Sequence, residues 1–139
     1  MNRIQPCEAA YFNRAIDWQE LGNLENAIQD FKRFIELCPD DPTAHEYLAV
    51  VYAEAKTLSS NYPHLALEHA RAALELTEGK ACSAFLSLAS SYAALNEFSL
   101  AVENQRRAIE ISEQDTDVPV VLSILKQRLQ EYLKLLETS

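Results

Sequence analysis

The chain has 139 residues, which fits one domain, and 48% of them are hydrophobic, too many for a disordered segment. Its formal net charge of −9 disfavours binding to nucleic acids and to anionic membranes, because both carry negative charge. Only two glycines and five prolines interrupt the chain, and the helix-forming residues Ala, Leu and Glu are abundant. The composition therefore predicts an all-α domain.

Helix boundary signals divide the chain into seven predicted helices. Gly22 and Asn96 can adopt the left-handed conformation that ends a helix. Pro39 cannot continue the second helix, and Pro42 suits the first turn of the third. The predicted helices cover about 7–21, 24–37, 42–58, 64–77, 81–95, 97–112 and 117–136.

The first six predicted helices repeat one pattern three times. In each repeat, the second helix can be aligned on one alanine, which is Ala27, Ala66 or Ala101. The first helix of each repeat has, at helical spacing, a large residue, an aliphatic or basic residue, a small residue and an aromatic residue. The upstream small residues are Ala15, Ala49 and Ala89. Because alanine has almost no side chain, these positions let two helices approach closely. We expect Ala15 to face Ala27, and Ala89 to face Ala101.

The turn inside the middle repeat is longer than the other two. Ala15 and Ala27 are 12 residues apart, as are Ala89 and Ala101, whereas Ala49 and Ala66 are 17 apart. We place the five extra residues in a loop at about 59–63. A tolerated surface insertion is the simpler interpretation, and a recognition loop is the alternative.

The seventh helix departs from the repeat and carries one apolar stripe. This stripe is formed by Val118, Val121, Leu122, Leu125, Leu129, Tyr132, Leu133 and Leu136. A helix with one apolar face can cover the last unit of a stack, so we interpret it as a cap. Val120, Ile124 and Leu135 widen the apolar face, which leaves room for a further contact such as a homodimer through this helix.

Nothing in the sequence has the pattern of a catalytic, metal or phosphate site. The three histidines are not spaced as metal ligands on one helical face, and two glycines are too few for a phosphate-binding loop. Cys7, Cys38 and Cys82 are far apart, which is typical of free thiols in a reducing compartment. No apolar run approaches the ~18 residues of a membrane span. We therefore expect a cytoplasmic protein that is not an enzyme and uses no cofactor or metal.

The repeat resembles the tetratricopeptide repeat (TPR) family. The residues that carry the resemblance in the first unit are Tyr11, Ala15, Trp18, Gly22, Ala27, Phe31 and Pro39. Arg14 departs from the family pattern, where Leu is usual. The resemblance implies a right-handed α-solenoid of antiparallel helix pairs, with units at about 8–41, 42–80 and 82–115 and a capping helix at about 117–137. The long turn of the second unit resembles units of bacterial TPR arrays.

By this resemblance, the first helices of the units line a concave groove that binds a peptide or a partner helix. The groove residues it implies are Phe12, Asn13, Ile16, Gln19, Glu20, Glu46, Tyr47, Val50, Glu54, Ser83, Leu86, Ser87 and Ser90. We expect Phe12, Tyr47 and Leu86 to share one concavity. The family's best-known groove grips a chaperone's C-terminal carboxylate with Lys, Asn and Arg. The equivalent positions here are Phe12, Ile16, Tyr47, Ser83 and Ser87, so that carboxylate clamp is absent.

Two functions remain open from the sequence. The first is a protein–protein interaction module, or scaffold, whose partner supplies apolar anchors and basic residues to meet Glu20, Glu46 and Glu54. The second is a structural array that self-assembles, as a homodimer or as part of a larger chain, and has no separable peptide ligand.

Overall fold

The computed structural model describes residues 6–114 and 119–139, and these residues form seven helices and no strand. The helices are α1 (Pro6–Glu20), α2 (Leu24–Leu37), α3 (Pro42–Glu54), α4 (Tyr62–Leu76), α5 (Cys82–Ala94), α6 (Phe98–Glu113) and α7 (Pro119–Glu137). Helices α1 and α2, α3 and α4, and α5 and α6 pack as pairs, and α7 packs on α6. The predicted all-α fold of stacked helix pairs is confirmed. The predicted start of the last helix, near Asp117, lies outside the described residues.

Helices α1 and α5 end as predicted, and each is followed by one residue in the left-handed conformation. Gly22 has φ of 80° and Asn96 has φ of 61°. After each of them the backbone N–H donates back across the helix end, from Asn23 to the Trp18 carbonyl at 2.8 Å and from Glu97 to the Tyr92 carbonyl at 2.9 Å. These bonds satisfy carbonyl groups that the helix itself leaves unpaired.

The middle turn differs from the prediction in its position. Helix α3 ends at Glu54 rather than near Leu58, and α4 begins at Tyr62, so the turn covers residues 55–61. Its backbone closes by local bonds, including the Leu58 N–H to the Ala55 carbonyl at 2.9 Å. Thr, Ser and Asn dominate the second half of this segment and favour turns over helix. Apolar Leu58 therefore ends up 55% exposed instead of packing on a helix face.

Buried alanines allow the paired helices to lie close together. Ala15 and Ala27 are fully buried in one core cluster, which also contains Phe31 and Leu48. Ala89 and Ala101 are fully buried in a second cluster. The expected pairing of small residues within the first and third units is confirmed, and it explains why the repeat has alanine at these positions.

Helix α7 covers the last repeat unit along one edge. Leu125 and Tyr132 are buried, and Tyr132 packs with Ala101 in the second cluster. The buried Gln105 of α6 donates its side-chain N–H to the Leu125 carbonyl at 2.9 Å. Not all of the predicted stripe is covered, since Val121 and Leu136 are 42% and 37% exposed.

Candidate functional site

A groove of about 550 Å³ opens between α3, α5 and α7. Its lining residues are Val50, Ala53, Glu54, Lys56, Leu86, Ser90, Ala93, Ala94, Asn96, Phe98, Gln105, Ile124, Leu125, Arg128, Tyr132 and Leu135. Most of these side chains are apolar. Four of the groove residues expected from the sequence, Val50, Glu54, Leu86 and Ser90, lie in this lining. Helices α3 and α5 therefore supply one wall, as expected for first helices of consecutive units.

The opposite wall is formed by α7, which the sequence did not assign to the groove. Ile124 and Leu135 line it and remain 58% and 44% exposed. They are eleven residues apart, so they lie on the same side of the helix about 16 Å from each other. Their apolar character was visible in the sequence, where it indicated a contact beyond capping. In the structure both side chains line the groove.

Phe12 and Tyr47 lie in a separate aromatic cluster rather than in this groove. The Phe12 ring is 5.2 Å from the Tyr47 ring and 5.3 Å from the Phe34 ring, measured between centroids. Tyr47 also stacks on the fully buried Phe31 at 5.6 Å. Leu86 lines the groove between α3, α5 and α7, whose lining includes neither Phe12 nor Tyr47. Their first role is to pack the junction between the first two units.

Two more of the expected groove residues, Ser87 and Glu46, are buried or partly buried. Ser87 is 1% exposed, and its hydroxyl donates to the Ala84 carbonyl at 2.8 Å within its own helix, so it is closed to a ligand. Its position falls on the packed side of α5. Glu46 is partly buried beside Ser83, and this burial raises the pKa of its carboxyl group. Its carboxylate is thus not a freely exposed rim charge.

The remaining expected residues are Ser83, which is exposed in the first turn of α5, and four residues of α1. Asn13 and Glu20 are exposed, and Ile16 packs against the first core cluster. Gln19 donates its side-chain N–H to the Glu54 carboxylate at 3.1 Å, which links α1 to α3 beside the groove. Of the acidic residues Glu20, Glu46 and Glu54, which were expected around the groove, only Glu54 lines it.

Charged residues of both signs surround the apolar groove. Glu54 of α3, Lys56 of the following turn and Arg128 of α7 all line it. Arg128 also pairs with Glu131 one turn later at 3.2 Å, and both side chains are more than half exposed. Exposed pairs of this kind contribute little to stability, so Arg128 remains available to a ligand. The rim can accept acidic as well as basic groups, which is broader than the basic partner expected from the sequence.

The described residues contain no group of three or more His, Cys, Asp or Glu side chains placed to hold a metal ion. Among the same residues, no helix is long and apolar enough to cross a membrane. The groove itself presents aliphatic, aromatic and hydroxyl groups with a few charges at its edge. Such a surface can bind apolar side chains and orient them by a few polar contacts.

Comparisons with known proteins agree with this architecture. A family model described as "TPR repeat" matches residues 20–55, and a model described as "Tetratricopeptide repeat" matches residues 83–115. No curated protein matches the chain.

Two solved structures share the fold over most of their length. The first TPR of Spaghetti (RPAP3), bound to the HSP90 peptide SRMEEVD, is 16% identical with a TM-score of 0.67, over 88% of this chain and 95% of that one. The first TPR domain of human RPAP3 is 16% identical with a TM-score of 0.68, over 91% of this chain and 95% of that one. Because two family models of this repeat match different units, the chain belongs to the tetratricopeptide repeat family.

Proposed function

We propose that this protein is an interaction module, not an enzyme, and that it binds an extended segment of a partner protein in the groove between α3, α5 and α7. The observation that carries the proposal is the apolar wall of α7. Ile124 and Leu135 remain about half exposed opposite Val50 and Leu86, although a helix that served only as a cap would gain nothing from apolar side chains there. Exposed apolar groups that face each other across a groove favour a ligand with apolar side chains.

The arrangement of the two walls favours an extended ligand. The wall between Ile124 and Leu135 is about 16 Å long, which matches about five residues of extended chain. An extended segment directs alternate side chains to opposite sides, so it can contact α7 on one side and α3 and α5 on the other.

The solved relatives support the class of ligand but not its identity. One neighbour, the first TPR of Spaghetti, was determined with the HSP90 peptide SRMEEVD. In the present chain the positions of the family's carboxylate clamp hold Phe12, Ile16, Tyr47, Ser83 and Ser87, and none of these can form an ion pair with a terminal carboxylate. We therefore propose recognition through internal apolar side chains and not through a C-terminal carboxylate.

Peptide selection followed by paired variants would test the proposal. The full chain is used to select binders from a displayed library of random peptides, and the affinity of a selected peptide is measured by calorimetry. Ile124→Glu should weaken binding at least about tenfold, because it places a charge in the apolar wall. Leu58→Glu is the matched control, since Leu58 is 55% exposed and lies outside the groove. Equal affinity of both variants and the wild-type chain would contradict the groove assignment.

A homodimer through α7 is the second candidate, favoured by the exposed Val121 and Leu136. The measurement that separates the two is the mass in solution by light scattering. A stable dimer that Leu136→Glu dissociates, together with failure to select any peptide, would support the assembly function instead. A monomer that binds peptides supports the interaction module.

A further inference from the structure

His45 and His69 form a side-chain contact that the groove does not use. His45 lies on α3 and His69 on α4, and their Nδ1 atoms are 3.0 Å apart. The ring centroids are 5.2 Å apart, so both nitrogens lie between the two rings and point toward each other. The other nitrogen of His45, Nε2, lies 3.1 Å from the carbonyl oxygen of Pro39 in the turn between α2 and α3. The two rings thus connect α3, α4 and the turn between α2 and α3.

The hydrogen-bond roles of this pair follow from the Pro39 carbonyl. A carbonyl oxygen only accepts, so His45 Nε2 carries a proton and donates it. Neutral His45 then has a bare Nδ1 that accepts, and His69 must donate from its own Nδ1. The contact is therefore an N–H···N bond with one proton between the rings. Within the described part of the chain, no third His, Cys, Asp or Glu joins these two rings to make a group that could hold a metal ion.

The surroundings oppose any charge on the pair. A proton added to His45 Nδ1 would place two N–H groups against each other. A proton added to the outer nitrogen of His69 would charge a partly buried ring that stacks on Tyr52 at 5.9 Å. Burial, His45 and the nearby Lys32 of α2 together lower the pKa of His69 to about 4. Around Tyr52 itself the neighbouring ionisable groups are Tyr62 and Glu68 of α4.

We propose that the His45–His69 contact is a proton-sensitive joint between the first two repeat units. It holds α3, α4 and the Pro39 turn together while both rings are neutral, and it loosens when acid places a charge on the pair. The proposal is independent of the groove and of any ligand.

The test begins with the protonation state of the full wild-type chain. Long-range proton–nitrogen NMR spectra of ¹⁵N-labelled histidine at pH 7 should show one ring protonated only at Nδ1 and one protonated only at Nε2. The His45→Gln and His69→Gln variants assign the signals, and exposed His64 is the internal reference. Two rings with the same tautomer, or a charged ring in the pair at pH 7, would overturn the proposal without any need for a folded variant.

The second measurement compares the acid sensitivity of variants. Melting temperatures from pH 7 to pH 4 are recorded for the wild-type chain, His64→Gln and the double variant His45→Gln/His69→Gln. The wild-type chain and His64→Gln should lose several degrees more on acidification than the double variant, whose joint takes up no proton. Each melt is compared with the same protein at pH 7, so a lower starting stability does not mask the difference. Identical losses in all three would overturn the proposal.

Discussion

The guanidinium group of Arg14 donates to both carboxylate oxygens of Asp30 across the first helix pair, from Nε and from Nη2, each at 2.7 Å. Arg14 stands where the later units have Leu48 and Leu88, which are buried against the unit before them. In the first unit the same position faces outward, and the Arg14 side chain is 60% exposed. The pair makes this outer face polar, as in the terminal units of repeat proteins.

Loss of Arg14 should lower the melting temperature, because it leaves the carboxylate of Asp30, only 8% exposed, without its partner. Arg33→Leu is the control, since Arg33 pairs with an exposed glutamate and its loss should have little effect. The double variant Arg14→Leu/Asp30→Leu should recover part of the stability by forming an apolar pair. A melt of Arg14→Leu that matches Arg33→Leu would contradict a structural role for the pair.

The alanine contacts should not tolerate larger side chains. Ala101→Leu adds atoms between α5 and α6 where Ala101 is fully buried, and we expect a cost of roughly 1–3 kcal/mol in the free energy of unfolding. Ala10→Leu, at an exposed site on α1, is the control and should cost little. Urea denaturation measures both. If Ala101→Leu were as stable as the control, the two helices would not be in close contact at this point.

Tyr47 should stabilise the fold even though its side chain is partly exposed. From the sequence, Tyr47 was expected only to contact a ligand in the groove. Because Tyr47 packs against Phe12 and Phe31, Tyr47→Ala should lower the free energy of unfolding by about 1 kcal/mol or more. Tyr47→Phe keeps the ring and should remain close to the wild-type value in the same denaturation experiment. Equal stability of the Ala and Phe variants would mean that the ring contacts are unimportant.

Glu46 should make the folded chain less stable as the pH rises, whereas a carboxylate in an ion pair would make it more stable. Burial raises its pKa in the folded chain, so folded Glu46 binds a proton more readily than unfolded Glu46. This contribution to stability is largest at low pH and is lost as the pH rises through the raised pKa. Glu46→Gln should therefore increase the melting temperature at pH 7 and change it little at pH 4. Glu54→Gln, at an exposed site, is the control, and equal effects of both variants at pH 7 would contradict the prediction.

Removal of α7 should expose the apolar side of the third unit. A chain that ends at Gln114 loses Leu125 and Tyr132, which are both buried, and uncovers Val102 and the side chain of Gln105. We expect it to associate or to melt at a lower temperature than the full chain, which light scattering and circular dichroism would show. A shortened chain that stays monomeric and equally stable would assign α7 to ligand binding alone.

The repeat and its helix pairs could be predicted from the sequence because local signals agreed with one another. The spacing between Ala15 and Ala27 is the same as that between Ala89 and Ala101. Gly22 marks the end of a helix, because glycine adopts the positive φ found there without steric cost. These features act within one helix pair, so they need no knowledge of the stack. The predicted end of α3 near Leu58 was wrong, because Leu58 continues an apolar pattern through residues that favour a turn and the helix ends at Glu54.

The candidate site was harder to predict because it depends on the angles between helices. Ser87 and Leu86 are neighbours in sequence, yet one is buried in the stack and the other lines the groove. Helix α7 lies outside the repeat, so no pattern could say which of its sides would face the groove. The pairing of His45 with His69 arises between two helices whose register is set by the long middle turn, and sequence spacing does not encode it.

Docking of α7 and occupation of the groove are thermodynamically linked. The buried Leu125 and Tyr132 hold the helix on the third unit, while Ile124 and Leu135 on the same helix form the wall of the groove. A ligand that contacts this wall binds only chains whose final helix is in place, so part of its intrinsic affinity is used to keep the helix there. A substitution that undocks α7 in a fraction of molecules would weaken binding in proportion to that fraction without touching the ligand. Through this coupling, a helix that closes the hydrophobic core would also control how much of the protein is competent to bind.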